Sequence, residues 1–116
     1  MAHYSDIFVV PVPVANIDLY RQQAEIFVTV WKENGALSVF ELEADDAPPG
    51  KLTSFPQSVD LRPDEKLFVG LATYDSREKR DEVNAKAMKD PRMTDMQMCF
   101  DGKRMIFGGF KSFVGD

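Results

Sequence analysis

Cysteine and histidine are nearly missing from this chain of 116 residues, which has one of each, Cys99 and His3. A single cysteine forms no intrachain disulfide, and one cysteine with one histidine falls short of the usual zinc ligand set. No metal site and no disulfide framework are therefore expected, and a reducing cytoplasmic setting suits the composition. Long apolar runs are missing too. The start, MAHYSDIFVVPVPVANID, has no basic segment ahead of its apolar run, and that run is too short for a signal peptide or a membrane span. Positive charge is in the minority, 14 Lys and Arg against 19 Asp and Glu, for a net charge of −5. Affinity for nucleic acid comes mostly from basic contacts to phosphate, so no nucleic-acid partner is expected. Cofactor motifs are lacking as well. In CFDGKRMIFGGFKSFV a phosphate loop would need glycine where Gln97 stands and Ser or Thr where Arg104 follows Lys103. No Ser-His-Asp arrangement is legible, and no cofactor is expected.

What is present is a pattern of elements. DIFVVPVPV, Asp6 to Val14, reads as a strand buried on both faces that Pro11 and Pro13 should end. Asn16 is placed to cap a helix whose apolar stripe is Ile17, Tyr20, Ala24, Phe27 and Trp31, closed by Asn34-Gly35. A strand from about Ala36 to Ala44 sets Leu37 and Val39 against Phe40 and Leu42, with a change of phase that suggests a bulge. Residues 45–65 are rich in proline and aperiodic; they read as an arm packed on the fold, with LTSF as a short extra strand. KLFVGLATY sets Leu67, Val69 and Leu71 against Phe68, Ala72 and Tyr74. Asp75 or Ser76 caps a second helix that stops before Pro91. Asp101-Gly102 signals a tight turn into a last hairpin strand, which sets Met105, Phe107 and Gly109 against Ile106, Gly108 and Phe110. The glycine pair marks a bulge or a close approach by a ring or backbone.

The order strand, helix, strand, strand, helix, strand is that of the ferredoxin-like βαββαβ unit in the α+β class, a four-stranded antiparallel sheet with two helices on one face. Residues 1–116 are expected to form one such domain. Two helices cover one face, yet three strands are apolar on both. The second face needs another apolar layer, and a second copy of the same sheet is its simplest supplier, giving a homodimer that closes into an α+β barrel.

The segments FVVPVPVANIDLYR, GKLTSFP, NAKAMKDPRM and FDGKRMIFGGF together resemble a bacterial family of YbaA-like proteins of unknown function, over nearly the whole chain. Cys99 stands where the family motif is expected to have proline, a departure that touches the turn and not the fold. The resemblance implies the dimeric α+β barrel superfamily, whose members include cofactor-free monooxygenases, heme enzymes and plain ligand-binding domains. It implies an architecture and no particular activity.

Candidate ligand-binding residues follow from the helix stripe and the methionines. Phe27 and Trp31 either pack as ordinary core or form the aromatic wall of a pocket between sheet and helices. Tyr74 ends its strand with a hydroxyl that needs a partner if buried. Asn84, four residues before Met88, is either solvated or turned inward. Met88, Met93, Met96, Met98 and Met105 either pad an irregular connection or form a pliable gate over an apolar ligand. Arg92 either binds an anionic group or pairs with Asp90 or Asp95. The run Arg77 to Glu82 mixes both signs and reads as a solvated face. No catalytic residue is assigned. Three functions remain open: a homodimeric binder of a small, mostly apolar molecule, a cofactor-independent monooxygenase acting on an aromatic substrate, and a scaffold whose helix–sheet space is filled.

Overall fold

A computed structural model describes residues 3–115. Strand β1, Tyr4–Pro13, leads through a 3-10 turn at Val14–Asn16 into helix α1, Ile17–Glu33. Then follow β2, Ser38–Glu43, a short α2, Phe55–Ser58, and β3, Glu65–Tyr74. Helix α3, Arg77–Ala87, a short α4, Pro91–Thr94, and β4, Ile106–Lys111, complete the chain. The sheet is antiparallel in the order β2-β3-β1-β4, which is the ferredoxin-like arrangement.

Several local expectations are met at the atomic level. Gly35 takes φ 117°, and behind it Ala36 N donates to Trp31 O at 3.0 Å while Gly35 N donates to Lys32 O at 3.1 Å. This is the Schellman end of α1, and glycine reaches that backbone region without the cost a side chain would bring. Ser76 Oγ accepts from Lys79 N at 3.1 Å and caps α3. Asn16 stands at the start of α1 but does not cap it. The 3-10 turn already leads into the helix, and Asn16 Nδ2 donates to Cys99 O at 2.7 Å instead.

Other expectations are corrected. Pro11 does not end β1, which runs on to Pro13 and stops there, because β4 pairs with β1 only as far as Val9↔Ile106, and beyond Val9 that side is an open edge where a missing N–H costs nothing. Neither β2 nor β4 has a bulge; both registers run without interruption. The phase change in β2 arises because Glu41 and Glu43 follow Val39 on the helix side. LTSF is not a strand: Ser54 Oγ accepts from Gln57 N at 3.2 Å and Pro56 sits in the first turn, so these residues start α2. Asp101-Gly102 makes a turn, with Lys103 N donating to Asp101 Oδ1 at 3.0 Å, but no strand precedes it. β4 pairs with β1 instead of closing a hairpin.

Two cross-strand contacts explain two of the three glycines in the sheet. A Cβ on Gly70 would lie 1.9 Å from Phe8 Cε2, and one on Gly109 would lie 2.3 Å from Tyr4 Oη. In each case the ring of the neighbouring β1 residue lies across the glycine, so the close approach was the correct alternative at Gly109. Gly108 has no such constraint, since its nearest side-chain atom would be 3.5 Å away.

Alternation then sorts the strands. Tyr4, Asp6, Phe8, Val10 and Val12 of β1 and Phe68, Ala72 and Tyr74 of β3 share the helix side. Ile7, Val9, Leu67, Val69, Leu71, Phe40, Leu42, Ile106 and Phe110 share the other. The proline-rich arm covers part of that second side, where Val59 and Leu61 pack on Val9 and Leu67. The arm is fastened by a largely buried ion pair. Arg104 and Glu65 have side chains 13% and 4% exposed, and Arg104 Nη1 also donates to Val59 O and Asp60 O.

Two outcomes follow. Gly70→Ala should cost about 1–3 kcal/mol through the clash with Phe8, a fall in Tm of several degrees, whereas Gly108→Ala should change Tm little. Arg104 holds the Glu65 carboxyl below its usual value of 4.5. That stabilisation is complete above the usual value and is lost as pH falls through the lowered one. Arg104→Met should therefore lower Tm at pH 7, by a deficit that narrows toward pH 4 as the stranded Glu65 takes a proton. Thermal melts across that range read both effects.

Candidate functional site

Between the sheet and its helices lies a cleft of about 530 Å³. Its floor is the helix side of β1, β3 and β4, its long wall is α1, and α3 with the methionine segment closes the opposite flank. The floor is low because Gly70 lets the Phe8 ring lie flat over the sheet. From there an aromatic ladder climbs α1: Phe8 meets Phe27 edge-on with centroids 5.5 Å apart, and Phe27 meets Trp31 at 4.5 Å.

Six of the seven candidates line this cleft: Phe27, Trp31, Tyr74, Asn84, Met88 and Met93. Met96, Met98 and Met105 join them, so the methionine cluster converges on one wall. Asn84 is turned inward, and its Oδ1 accepts from Trp31 Nε1 at 3.0 Å. Arg92 is the exception. Its guanidinium bonds Asp90 at 2.7 Å and Glu33 Oε1 at 2.7 Å, tying the start of α4 to the end of α1 outside the cleft. Asp90 is the pairing expected, Asp95 is not used, and Glu33 was invisible in the sequence because it lies 59 positions away.

One end of the cleft is polar. Tyr74, with no exposed surface, donates its hydroxyl to Asp6 Oδ2 at 3.1 Å, and burial pushes the phenol up so that it stays a neutral donor. Arg80 Nη1 donates to Asp6 Oδ1 at 2.8 Å and Nη2 to Tyr4 Oη at 3.1 Å. Arg80 Nε is buried and unbonded, since Asp81 Oδ1 lies 2.9 Å away but off the N–H direction. Arg80 is thus not part of a solvated face. Its inward turn has a signal in the sequence, because it lies three and four positions before the inward Val83 and Asn84. Asp6 also has one: it falls on the inward phase of β1, between Tyr4 and Phe8.

At the β2 side stands Glu41, opposite Gly70 and on the inward phase with Val39. Tyr20 donates to its Oε2 at 2.9 Å. Burial pushes the Glu41 carboxyl up to about 7, with the Tyr20 hydrogen bond opposing, and the same burial raises the Tyr20 phenol. A second groove of about 470 Å³ runs between α1 and β2, and it shares Tyr20, Ala24 and Glu41 with the main cleft. Nearby, the Cys99 thiol is buried, donates to Gln23 Oε1 at 3.2 Å and is raised by that burial, the opposite of an activated thiolate. Among the described residues no group of three or more His, Cys, Asp or Glu gathers as a metal ligand set, and no helix is long and apolar enough to cross a membrane.

Comparison with known proteins places the fold and the family. The chain resembles in structure a putative antibiotic biosynthesis monooxygenase from Nitrosomonas europaea, at 11% identity and a TM-score of 0.64, covering 96% of this chain and 90% of that one. A dimeric ferredoxin-like protein from an uncultured marine organism matches at 10% identity and 0.53, over 98% and 96% of the two chains. SnoaB, a cofactor-independent oxygenase from Streptomyces nogalater, matches at 14% and 0.51, over 98% and 94%. At these identities the likeness is one of fold. In sequence the chain is 44% identical to the uncharacterized protein YbaA of Escherichia coli K12 over 115 residues, 97% of this chain and 98% of that one. Residues 3–102 match the family described as protein of unknown function DUF1428, and the chain belongs to that family.

Proposed function

We propose that this protein is a homodimeric barrel that binds a small, mostly apolar, aromatic molecule between each sheet and its helices. The observation that carries the reading is the cleft itself. It has an aromatic ladder along one wall and adaptable thioethers along another, while Asp6, Tyr74 and Arg80 at one end are ready to orient a polar substituent. An open volume of about 530 Å³ weighs against a scaffold whose interior is filled by its own side chains.

The dimer part rests on the second side of the sheet. Phe40, Leu42, Ile106 and Phe110 are 41–56% exposed there, continuous with Ile7, Val69 and Leu71. Such a patch on an antiparallel sheet calls for a partner, and a second copy supplies a matching apolar sheet. A fold neighbour described as a dimeric ferredoxin-like protein supports the same occupant. A standard interface of roughly 800 Å² per partner is within reach of a four-stranded face flanked by the arm.

A second reading is cofactor-independent oxygenation of an aromatic substrate. It is favoured by the Trp31–Asn84 hydrogen bond beside Tyr74 in the same cleft, and by fold neighbours described as an antibiotic biosynthesis monooxygenase and a cofactor-independent oxygenase. Oxygen uptake with hydroxylated aromatics separates it from plain binding.

Light scattering at micromolar concentration should report about twice the 13.1 kDa chain mass, with Phe110→Asp shifting it to the monomer. Trp31 is the only tryptophan, so stopped-flow fluorescence against quinones, phenols and fatty acids reads the cleft directly. Tyr74→Phe takes from Asp6 its phenolic donor and should weaken ligands whose polar substituent lies at that end by about five- to tenfold, the worth of one hydrogen bond. Replacing Met93 and Met96 by Leu should change the association rate more than Tm, since volume-conserving swaps cost less than about 1.5 kcal/mol. If no compound perturbs Trp31, the binding reading fails.

A further inference from the structure

We propose that Glu41, held by Tyr20, is the group that accepts the proton of an acidic O–H on the ligand, which makes phenols and enols the ligand class of this cleft. The inference deepens the reading of the cleft as a ligand site and rests on it.

The argument starts from position. Glu41 is on β2, paired with Gly70, which in turn pairs with Phe8, so the carboxyl stands at the edge of the flat aromatic floor. Both the main cleft and the groove between α1 and β2 reach it, and Tyr20 and Ala24 line both with it. Only Oε2 is bonded: Tyr20 holds it, and among the described residues Oε1 has no hydrogen-bond partner. That leaves one unbonded acceptor oxygen on a half-buried carboxyl that lines the cleft.

The second step is the absence of a neutralising cation. No ion pair to Glu41 forms among the described residues, although other carboxylates nearby are paired. Glu43, two positions on along the same strand, binds Lys66 at 3.7 Å, and Asp6 binds Arg80 at 2.8 Å. The charged groups lining the outer groove with Glu41 are Arg21 and Glu25 from α1 and Glu43 from β2. Those lining the main cleft with it are Asp6 and Arg80, already joined to each other. Tyr20 is its one hydrogen-bond partner among the described residues, and the buried Cys99 packs in the same cluster as Tyr20. A half-buried carboxyl with a single neutral donor has its affinity for a proton raised by desolvation. It then changes state near neutrality, about pH 7.

The proton step is simple. The ligand O–H donates to Oε1; on full transfer that O–H bond breaks, its electron pair stays on the ligand oxygen as a phenolate or enolate, and a new O–H bond forms on Glu41. Tyr20 keeps its own proton and stabilises the carboxylate before transfer. Asp6 and Glu41 lie two residues apart along the strands and two strands apart across them, so about 12 Å separates their backbones. A fused-ring aromatic can bridge that distance, with its hydroxyl at Glu41 and a second polar substituent at Tyr74 and Arg80.

The test uses 2-naphthol and its methyl ether, 2-methoxynaphthalene, titrated by Trp31 fluorescence from pH 5.5 to 8. Naphthol affinity should rise about tenfold across this range as Glu41 ionises and becomes a charged acceptor, while the ether, with no proton to give, stays flat. Glu41→Gln should flatten the naphthol profile with the ether unchanged. Tyr20→Phe removes the bond that lowers the Glu41 value, so it should displace the rise to higher pH. Circular dichroism melts check that both variants fold. A naphthol profile that is flat in the parent, or that persists in Glu41→Gln, overturns the assignment while leaving the cleft as a binding site. If neither probe binds, the cleft reading falls and the proposal falls with it.

Discussion

Everything in this fold follows from two central strands that are apolar on both sides. β1 and β3 pair over their full ten-residue lengths, and side chains alternate across the sheet, so each contributes an apolar row to either face. Helices α1 and α3 satisfy one row. Val10, Val12, Ala72 and Tyr74 are almost fully buried beneath them. The other row is met only in part, by Val59 and Leu61 of the arm. The chain therefore carries its own reason for an interface, on the side away from the cleft. The proposed interface and the cleft use opposite phases of the same strands.

The cleft depends on a second constraint, the two places where a ring lies across a glycine. Phe8 over Gly70 and Tyr4 over Gly109 keep aromatic bulk flat against the sheet. Upright rings at these positions would fill the space under α1. The flattened floor leaves room between Phe8, the α1 ladder and the methionines, and it brings Tyr4 near enough for its hydroxyl to accept from Arg80. Packing and polar organisation are thus linked: the same ring that spares volume also completes the Arg80–Asp6–Tyr74 group.

Around that space the electrostatics divide into paired and unpaired groups. Asp6 has its arginine, Glu65 has Arg104, and Glu33 has Arg92. Such pairs fix geometry: the first orients the polar end, the second fastens the arm to the sheet, and the third joins α4 to α1. Glu41 alone among the cleft carboxylates is left with a neutral donor, so its burial appears as a raised proton affinity and not as a structural bridge.

By itself the sequence determined what is local. Apolar residues at both phases of three strands, the stripe Ile17 to Trp31, the Asn34-Gly35 stop and the Ser76 cap are patterns within a few positions of each other. They were enough for element order, sheet architecture and the aromatic and methionine walls of the cleft. Ser54 followed by Phe55-Pro56 was legible as a helix start too, but its apolar neighbours suggested a strand. Only tertiary structure decided the polar residues, because their partners are remote in sequence. Arg80 reaches Asp6 across 74 positions, Arg92 reaches Glu33 across 59, and Tyr20 reaches Glu41 across 21. A charged side chain on a mixed helix face looks solvated until the fold shows what stands opposite. Pairing and desolvation are properties of that assembled surrounding, which no short stretch of chain contains.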